Sequence, residues 1–249
     1  MVARIVDETN LYSTYDVNRG SISTCPEEIE HFLGILLQMC IVQMPRYRMY
    51  WQSSTRYEQV ANIMSRDRFE LIKRFLHFED NSNAPDPKDP NKDKLFKVRK
   101  LFEMLRQNCL KVKPEEHNSV DEQIIPFKGT ISVCRYLPKK PMKWGYKVLS
   151  RNGVSGFCYD FILDGAPDPS REEFDSIGFV SGDIVLRLCS TLPSQMSYKA
   201  YFDNYFTFLE FLQKLKEWGI WAVGTMRQDR MRGCELQEEK VLKKEGKGL

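Results

Sequence analysis

Ser119-Val-Asp-Glu-Gln-Ile-Ile-Pro-Phe-Lys-Gly129 is where this sequence changes character. Before it, apolar residues recur at helical spacing; after it, they alternate or run in short blocks. The stretch itself reads as a short extended run over Ser119–Phe127, broken by Pro126 and turned at Gly129. Asp121 lies in its middle, where an acid among apolar neighbours is costly to bury without a partner. Alternation sends the adjacent Glu122 to the opposite face.

Toward the N-terminus the pattern is helical. Thr24-Cys-Pro-Glu27 has the form of a capping box with Pro near the first turn. It introduces a stripe of Ile29, Phe32, Leu33, Leu36, Leu37, Cys40 and Ile41, which Pro45 ends. Ser65 caps a second helix with Phe69, Ile72, Phe75 and Leu76 on one face. Asn81–Pro90, with Pro85, Pro87 and Pro90 among Asp and Asn, is a loop. Leu95, Val98, Leu101, Phe102 and Leu105 form a third stripe, closed by Pro114.

Toward the C-terminus the period is that of strands alternating with helices. Tyr146–Ser150 and Phe157–Leu163 are strand-like, with Asn152-Gly153 between them as a hairpin signal. Ile184–Leu192 reads as a helix, Ala200–Asp203 as a strand, Phe206–Trp218 as a helix and Ile220–Gly224 as a strand. An antiparallel meander followed by helix, strand, helix, strand is the order of a ribonuclease-H-like core. In that core the first and fourth strands are neighbours, which would bring Asp121 beside Asp203. Two adjacent carboxylates repel unless a proton or cation lies between them. Hard oxygen ligands of this kind suit Mg²⁺ or Mn²⁺, and such ions serve phosphodiester chemistry. The competing reading of Asp203 is a helix N-cap in Asp203-Asn204.

Composition narrows the function classes. Lys+Arg 37 against Asp+Glu 34 gives a net charge of only +3, so nucleic-acid binding cannot rest on net charge. The distribution is more telling: Lys128, Arg135, Lys139, Lys140, Lys143, Lys147 and Arg151 occur between Lys128 and Tyr159 with no Asp or Glu. Trp144 and Tyr146 interleave with the lysines, a combination suited to phosphate contact and base stacking. The alternative is a solvated basic hairpin whose aromatics pack inward. A second basic run holds Lys92, Lys94, Lys97, Arg99, Lys100, Arg106, Lys111 and Lys113. The 7 cysteines are dispersed without a CxxC, which predicts free thiols, with Cys40, Cys109 and Cys189 as small buried hydrophobes. His31, His77 and His117 are far apart and are not expected to ligate a metal. No apolar run has the length of a membrane span, and the start has no signal-peptide core.

The residues that carry chemistry also carry a resemblance. Ser119–Gly129 resembles the first catalytic block of piggyBac-type transposases, and Leu137-Pro-Lys-Lys-Pro-Met-Lys-Trp-Gly-Tyr-Lys147 their Pro-x-Lys-Pro-x-Lys-x-Gly-x-Lys block. Phe202-Asp-Asn-Tyr-Phe-Thr207 is similar to their Asp-Asn-aromatic-Phe-Thr block, and Val223-Gly-Thr-Met-Arg227 to the strand that follows it. Met64-Ser-Arg-Asp-Arg-Phe-Glu70 and Phe75-Leu-His-Phe78 resemble the region before the catalytic core. The resemblance implies an α+β or α/β chain: a helical dimerisation and DNA-binding region over 1–117, a ribonuclease-H-like core over 118–228, and the start of an inserted subdomain over 229–249. Asp121 and Asp203 fall where the family has its first two catalytic, metal-ligating aspartates. It further implies Mg²⁺ or Mn²⁺ as cofactor, DNA as partner, cut-and-paste cleavage and strand transfer at TTAA sites, and a nuclear location. Neither a membrane nor a small-molecule substrate is implied. Lys128, Arg135, Lys139, Lys140, Lys143, Trp144 and Lys147 are the candidate DNA contacts, and the helical region is a candidate homodimer surface. The family's third aspartate lies beyond the Gly-Thr-x-Arg strand and is not met in this sequence, so the chain is expected to be inactive alone. A domesticated, non-enzymatic DNA- or chromatin-binding protein is the alternative.

Overall fold

A computed structural model of the protein describes residues 1–15, 21–86, 88–89, 92–129, 134–138, 141–164, 180–227, 230–231 and 233. The chain divides into two compact units, Met1–Met104 and Leu105–Leu249.

The first unit is helical. Its elements are α1 (Val2–Tyr15), α2 (Pro26–Ile41), a 3₁₀ turn at Tyr47–Trp51, α3 (Glu58–Ala61), α4 (Arg66–Phe75), a 3₁₀ turn at Asn81–Asn83 and the first part of α5 (Phe96–Leu110). Ile5, Ile29, Phe32, Ile35, Tyr50, Val60, Phe69, Ile72 and Phe75 are buried together. Phe32 and Trp51 pack against Phe69 at ring-centroid distances of 4.9 and 5.2 Å. Each fully buried side chain of this size contributes about 1.5–3 kcal/mol relative to exposure. The α4 stripe and its cap match the sequence: Ser65 accepts a hydrogen bond from the Arg68 amide at 3.3 Å.

Three expectations for α2 need correction. Its N-cap is Cys25, without a side-chain cap, so the capping box does not form. Thr24 donates instead to Glu28 at 2.7 Å, and Arg68 also bonds Glu28, which closes α4 onto α2. Leu37 and Ile41 are 67% and 76% exposed, because Leu37 lies five residues from Phe32, about 140° around the helix. Cys40 is also exposed, although it lies only about 20° around the helix from Ile29; it sits next to the last residue of α2.

The second unit is built on a mixed sheet. Its strands are β1 (His117–Pro126), β2 (Cys134–Tyr136), β3 (Trp144–Gly153), β4 (Cys158–Leu163), β5 (Lys199–Phe202) and β6 (Trp221–Gly224). The order is β2-β3-β1-β5-β6, with β4 also paired to β3. β1 runs antiparallel to β3 and parallel to β5, and β5 runs parallel to β6. This is the ribonuclease-H-like arrangement expected from the sequence, with the short β2 added. α6 (Val180–Cys189) and α7 (Leu209–Glu217) close one face. Val185, Leu186 and Leu188 from α6 and Phe211 and Leu215 from α7 pack with Val120, Leu149 and Phe202 of the sheet. Gly145 lets β3 approach β1, since a Cβ there would lie 2.0 Å from the Ile125 carbonyl oxygen.

The β3–β4 turn is displaced from the sequence expectation. Asn152 and Gly153 are the last residues of β3, and the turn is made by Val154, Ser155 and Gly156. Glu115 holds it: its carboxylate accepts from the Val154 amide at 2.9 Å, the Ser155 amide at 3.3 Å and the Tyr159 hydroxyl at 3.0 Å, as well as from the Ser155 hydroxyl. The Ser155 hydroxyl bond leads the interactions that lower the Glu115 carboxyl below its ordinary value. Beside this hairpin lies a buried polar group. Arg106 and Thr191 bond the Asp160 carboxylate at 2.6 and 3.0 Å. Arg151 donates to the Leu188 carbonyl, Asn118 and Thr191 at 2.9, 2.8 and 3.0 Å. All 6 cysteines among the described residues are free. Burial pushes the Cys189 thiol up to about 12 and Cys158 up to about 11, so neither is a reactive thiolate at neutral pH.

Candidate metal and nucleic-acid site

Strand alternation and register together place the two candidate acids. In β1, Asn118, Val120 and Ile124 are buried, while Ser119, Asp121, Gln123 and Ile125 are exposed on the other face. In β5, Ala200 and Phe202 are buried and Tyr201 is exposed. Ser119 pairs with Tyr201 and Val120 with Phe202. That pairing ends at Val120–Phe202, so Asp121 and Asp203 are each the next residue along their chains, Asp121 still within β1 and Asp203 just past the end of β5. Neighbouring strands lie about 4.8 Å apart, and in-register residues of a parallel pair share a face. Both acids are exposed. Glu122 is half-buried and alternates away from Asp121, as the sequence indicated.

Asp203 opens a tight turn. Its carboxylate accepts from the Tyr205 amide at 2.8 Å, and its carbonyl accepts from the Thr207 hydroxyl at 2.8 Å. It is not the N-cap of α7, which is Phe208 and has no side-chain cap. Phe206 and Thr207 are fully buried and anchor the far side of the turn. Gly224 at the end of β6 makes room for it: a Cβ there would meet Thr207 Oγ1 at 2.5 Å and the Phe202 ring at 2.6 Å. Arg230 reaches back over the same turn and donates to the carbonyls of Asn204, Tyr205 and Thr207 at 2.8, 3.1 and 3.3 Å. Sequence reading missed Arg230, because a lone Arg in a polar stretch gives no signal of what it touches.

The basic candidates fall at several places. Lys128 and Lys143 are exposed, and Trp144 is 46% exposed. The pairing of Asp121 with Ser150 and Ile125 with Tyr146 puts Trp144 and Tyr146 on the Asp121 face. Tyr146 is half-buried against Phe127, with ring centroids 5.1 Å apart. Lys147 pairs with Ile124 and so leaves on the opposite face, where its ammonium lies 5.0 Å from the Tyr205 ring centroid. Arg135 forms an ion pair with Asp164 at 3.5 Å. Lys139 and Lys140 lie outside the described residues. Arg151, counted in the acid-free run, is 1% exposed and bonded within the core, so it is unavailable to a phosphate. Burial is also the leading influence on its guanidinium and lowers it from its ordinary value.

Carboxylate oxygens such as those of Asp121 and Asp203 are the donors that suit a hard divalent cation, and both side chains are exposed. Among the described residues no three His, Cys, Asp or Glu side chains are grouped to hold a metal. No helix among them is long and apolar enough to cross a membrane.

Comparison with known proteins agrees with this architecture. The family described as Transposase IS4 matches residues 1–247. The human PiggyBac transposable element-derived protein 3 is 33% identical over 100% of this chain and 41% of its own length. The human PiggyBac transposable element-derived protein 2 is 31% identical over 98% of this chain and 40% of its own length. The chain thus spans about two fifths of these curated relatives. The fold is similar to that of the piggyBac transposase in a cryo-EM synaptic complex with hairpin DNA. That match has a TM-score of 0.78 at 24% identity, over 97% of this chain and 50% of the other. The chain belongs to the Transposase IS4 family, and within it to the piggyBac type.

Proposed function

We propose that Asp121 and Asp203 hold a divalent cation, Mg²⁺ or Mn²⁺, in a core that binds DNA for metal-dependent strand cleavage and transfer. The observation that supports this reading is the parallel register of β1 and β5, whose last pair is Val120–Phe202, so that Asp121 and Asp203 are each the next residue along. Carboxylates so close would repel one another, and a bound cation removes that cost. When bound, such an ion activates an attacking oxygen or stabilises a leaving one in phosphodiester chemistry. The chain's own groups supply the rest: Asp121 and Asp203 provide oxygen ligands, Lys128 and Lys143 attract phosphates, Lys147 does so from the opposite face of β3, and exposed Trp144 offers a surface for an unpaired base. Lys139, Lys140 and Arg135 complete the proposed DNA contacts, Arg135 being partly neutralised by Asp164. The helical region is proposed to serve dimerisation and DNA binding, and the protein to act in the nucleus.

A second reading, a domesticated DNA- or chromatin-binding protein, has its own support. The relatives at 33% and 31% identity are named as transposable element-derived proteins, whereas the solved transposase is 24% identical. Calorimetric titration with Mn²⁺ separates the two. Asp121→Asn and Asp203→Asn are each expected to weaken binding at least about tenfold, the range found when a metal site loses a supporting group. Binding unchanged in both variants would leave only the DNA-binding reading.

A further inference from the structure

We propose that Arg230 is a positioning residue for Asp203, an inference that rests on the metal reading above. Asp203 belongs to no strand or helix, so its orientation depends on the turn it opens. Inside that turn, the Tyr205 amide bonds the Asp203 carboxylate, and the Thr207 hydroxyl and Phe206 amide bond its carbonyl at 2.8 and 3.3 Å. Those bonds tie Asp203 to residues 205–207, and whatever fixes that segment fixes the carboxylate.

Side chains reach this segment from elsewhere in the sequence: the Ser181 hydroxyl bonds the Tyr205 carbonyl at 3.3 Å, Lys147 lies over the Tyr205 ring, and Arg230 spans the most of it. One guanidinium nitrogen contacts three carbonyls, those of Asn204, Tyr205 and Thr207. The guanidinium carbon lies 4.1 Å from the Phe208 ring centroid, a stacking geometry that restricts the long side chain. The Arg230 amide donates to the Arg227 carbonyl at 3.0 Å, which ties Arg230's backbone to the segment just after β6. Carbonyls in a tight turn without partners favour other backbone conformations, and a planar cation spanning several of them selects one. Arg230 touches neither acid and lies outside the unit's buried core cluster, so its role is orientation rather than ligation.

The test is Mn²⁺ affinity measured by the free-ion electron paramagnetic resonance signal, together with the thermal midpoint. It uses the full chain, Arg230→Ala, Arg230→Lys and Asp203→Asn. Arg230→Ala is expected to weaken Mn²⁺ binding on the order of tenfold, as removal of an outer-shell group does, with Arg230→Lys recovering part of it. A purely structural role would lower the midpoint without an affinity loss that Lys rescues. Should Arg230→Ala not fold, Arg230→Lys against the full chain carries the comparison, and an affinity equal to the full chain's overturns the proposal. Asp203→Asn weakening binding while Arg230→Ala leaves it intact also overturns the positioning role and spares the metal reading. Affinity indifferent to Asp203→Asn overturns both.

Discussion

Asp160 has no exposed side-chain surface, yet it sits among arginines: Arg106 bonds it directly, and Arg151 and Arg187 lie within electrostatic range. Removing one partner of a buried pair strands the other charge, which typically costs about 3–5 kcal/mol. Asp160→Ala is therefore expected to lose stability of that order in chemical denaturation, with fluorescence and circular dichroism coinciding if unfolding is two-state. A loss below about 1 kcal/mol would mean that water reaches the arginines and the group is solvated. This network was not legible in the sequence. Arg151 read as one more phosphate-attracting cation because its partners, Asn118, Leu188 and Thr191, are remote along the chain. Asp121 and Asp203 were legible as candidates, since an acid inside an apolar strand and one closing another strand both stand out locally.

At the level of elements, the change of period at the Ser119–Gly129 stretch and the alternation of strands and helices after it carried the sheet order, with β2 the exception. Three residues, Cys134-Arg-Tyr136, are too few to show a period. α1 escaped notice because two of its four buried positions are Thr9 and Ser13, so no apolar stripe appears. The β3–β4 turn moved past Asn152-Gly153 because Glu115 captures the amides of Val154 and Ser155, a constraint supplied from outside the hairpin. That capture gives the hairpin a pH dependence. The Glu115 carboxyl is held below its ordinary value of 4.5, first by the Ser155 hydroxyl and then, against burial, by Tyr159 and the two amides. A depressed folded value means the stabilisation is present above the unfolded value and is lost as pH falls through the folded one. The thermal-midpoint difference between the protein and Glu115→Gln should therefore be constant near neutral pH and shrink as pH falls below about 4.3. A gap that persists at low pH would show that the hydrogen bonds do not depend on the charge.

Over the whole molecule, family membership was legible because the motif blocks keep their order around a recognisable strand pattern, and the match extends over residues 1–247. What the blocks hid is that Lys147 and Trp144 leave β3 on opposite faces, so the basic stretch is not one surface. DNA binding is accordingly expected to be sequence-independent and steeply salt-dependent rather than tight. Replacing Lys139, Lys140 and Lys143 together by Gln should lower both the affinity and the slope of log K against log salt, by about 0.9 for each phosphate that is no longer neutralised. An unchanged slope would identify these lysines as solvated surface. Whether two strands bring two carboxylates to one cation is read most directly by Mn²⁺ titration followed through the backbone amide signals of the isotope-labelled chain. The amides of residues 120–122 and 202–205 are expected to broaden together at the lowest Mn²⁺ concentrations, and Asp121→Asn to abolish both effects at once. Broadening of one segment without the other, or broadening centred elsewhere in the chain, would contradict the shared site.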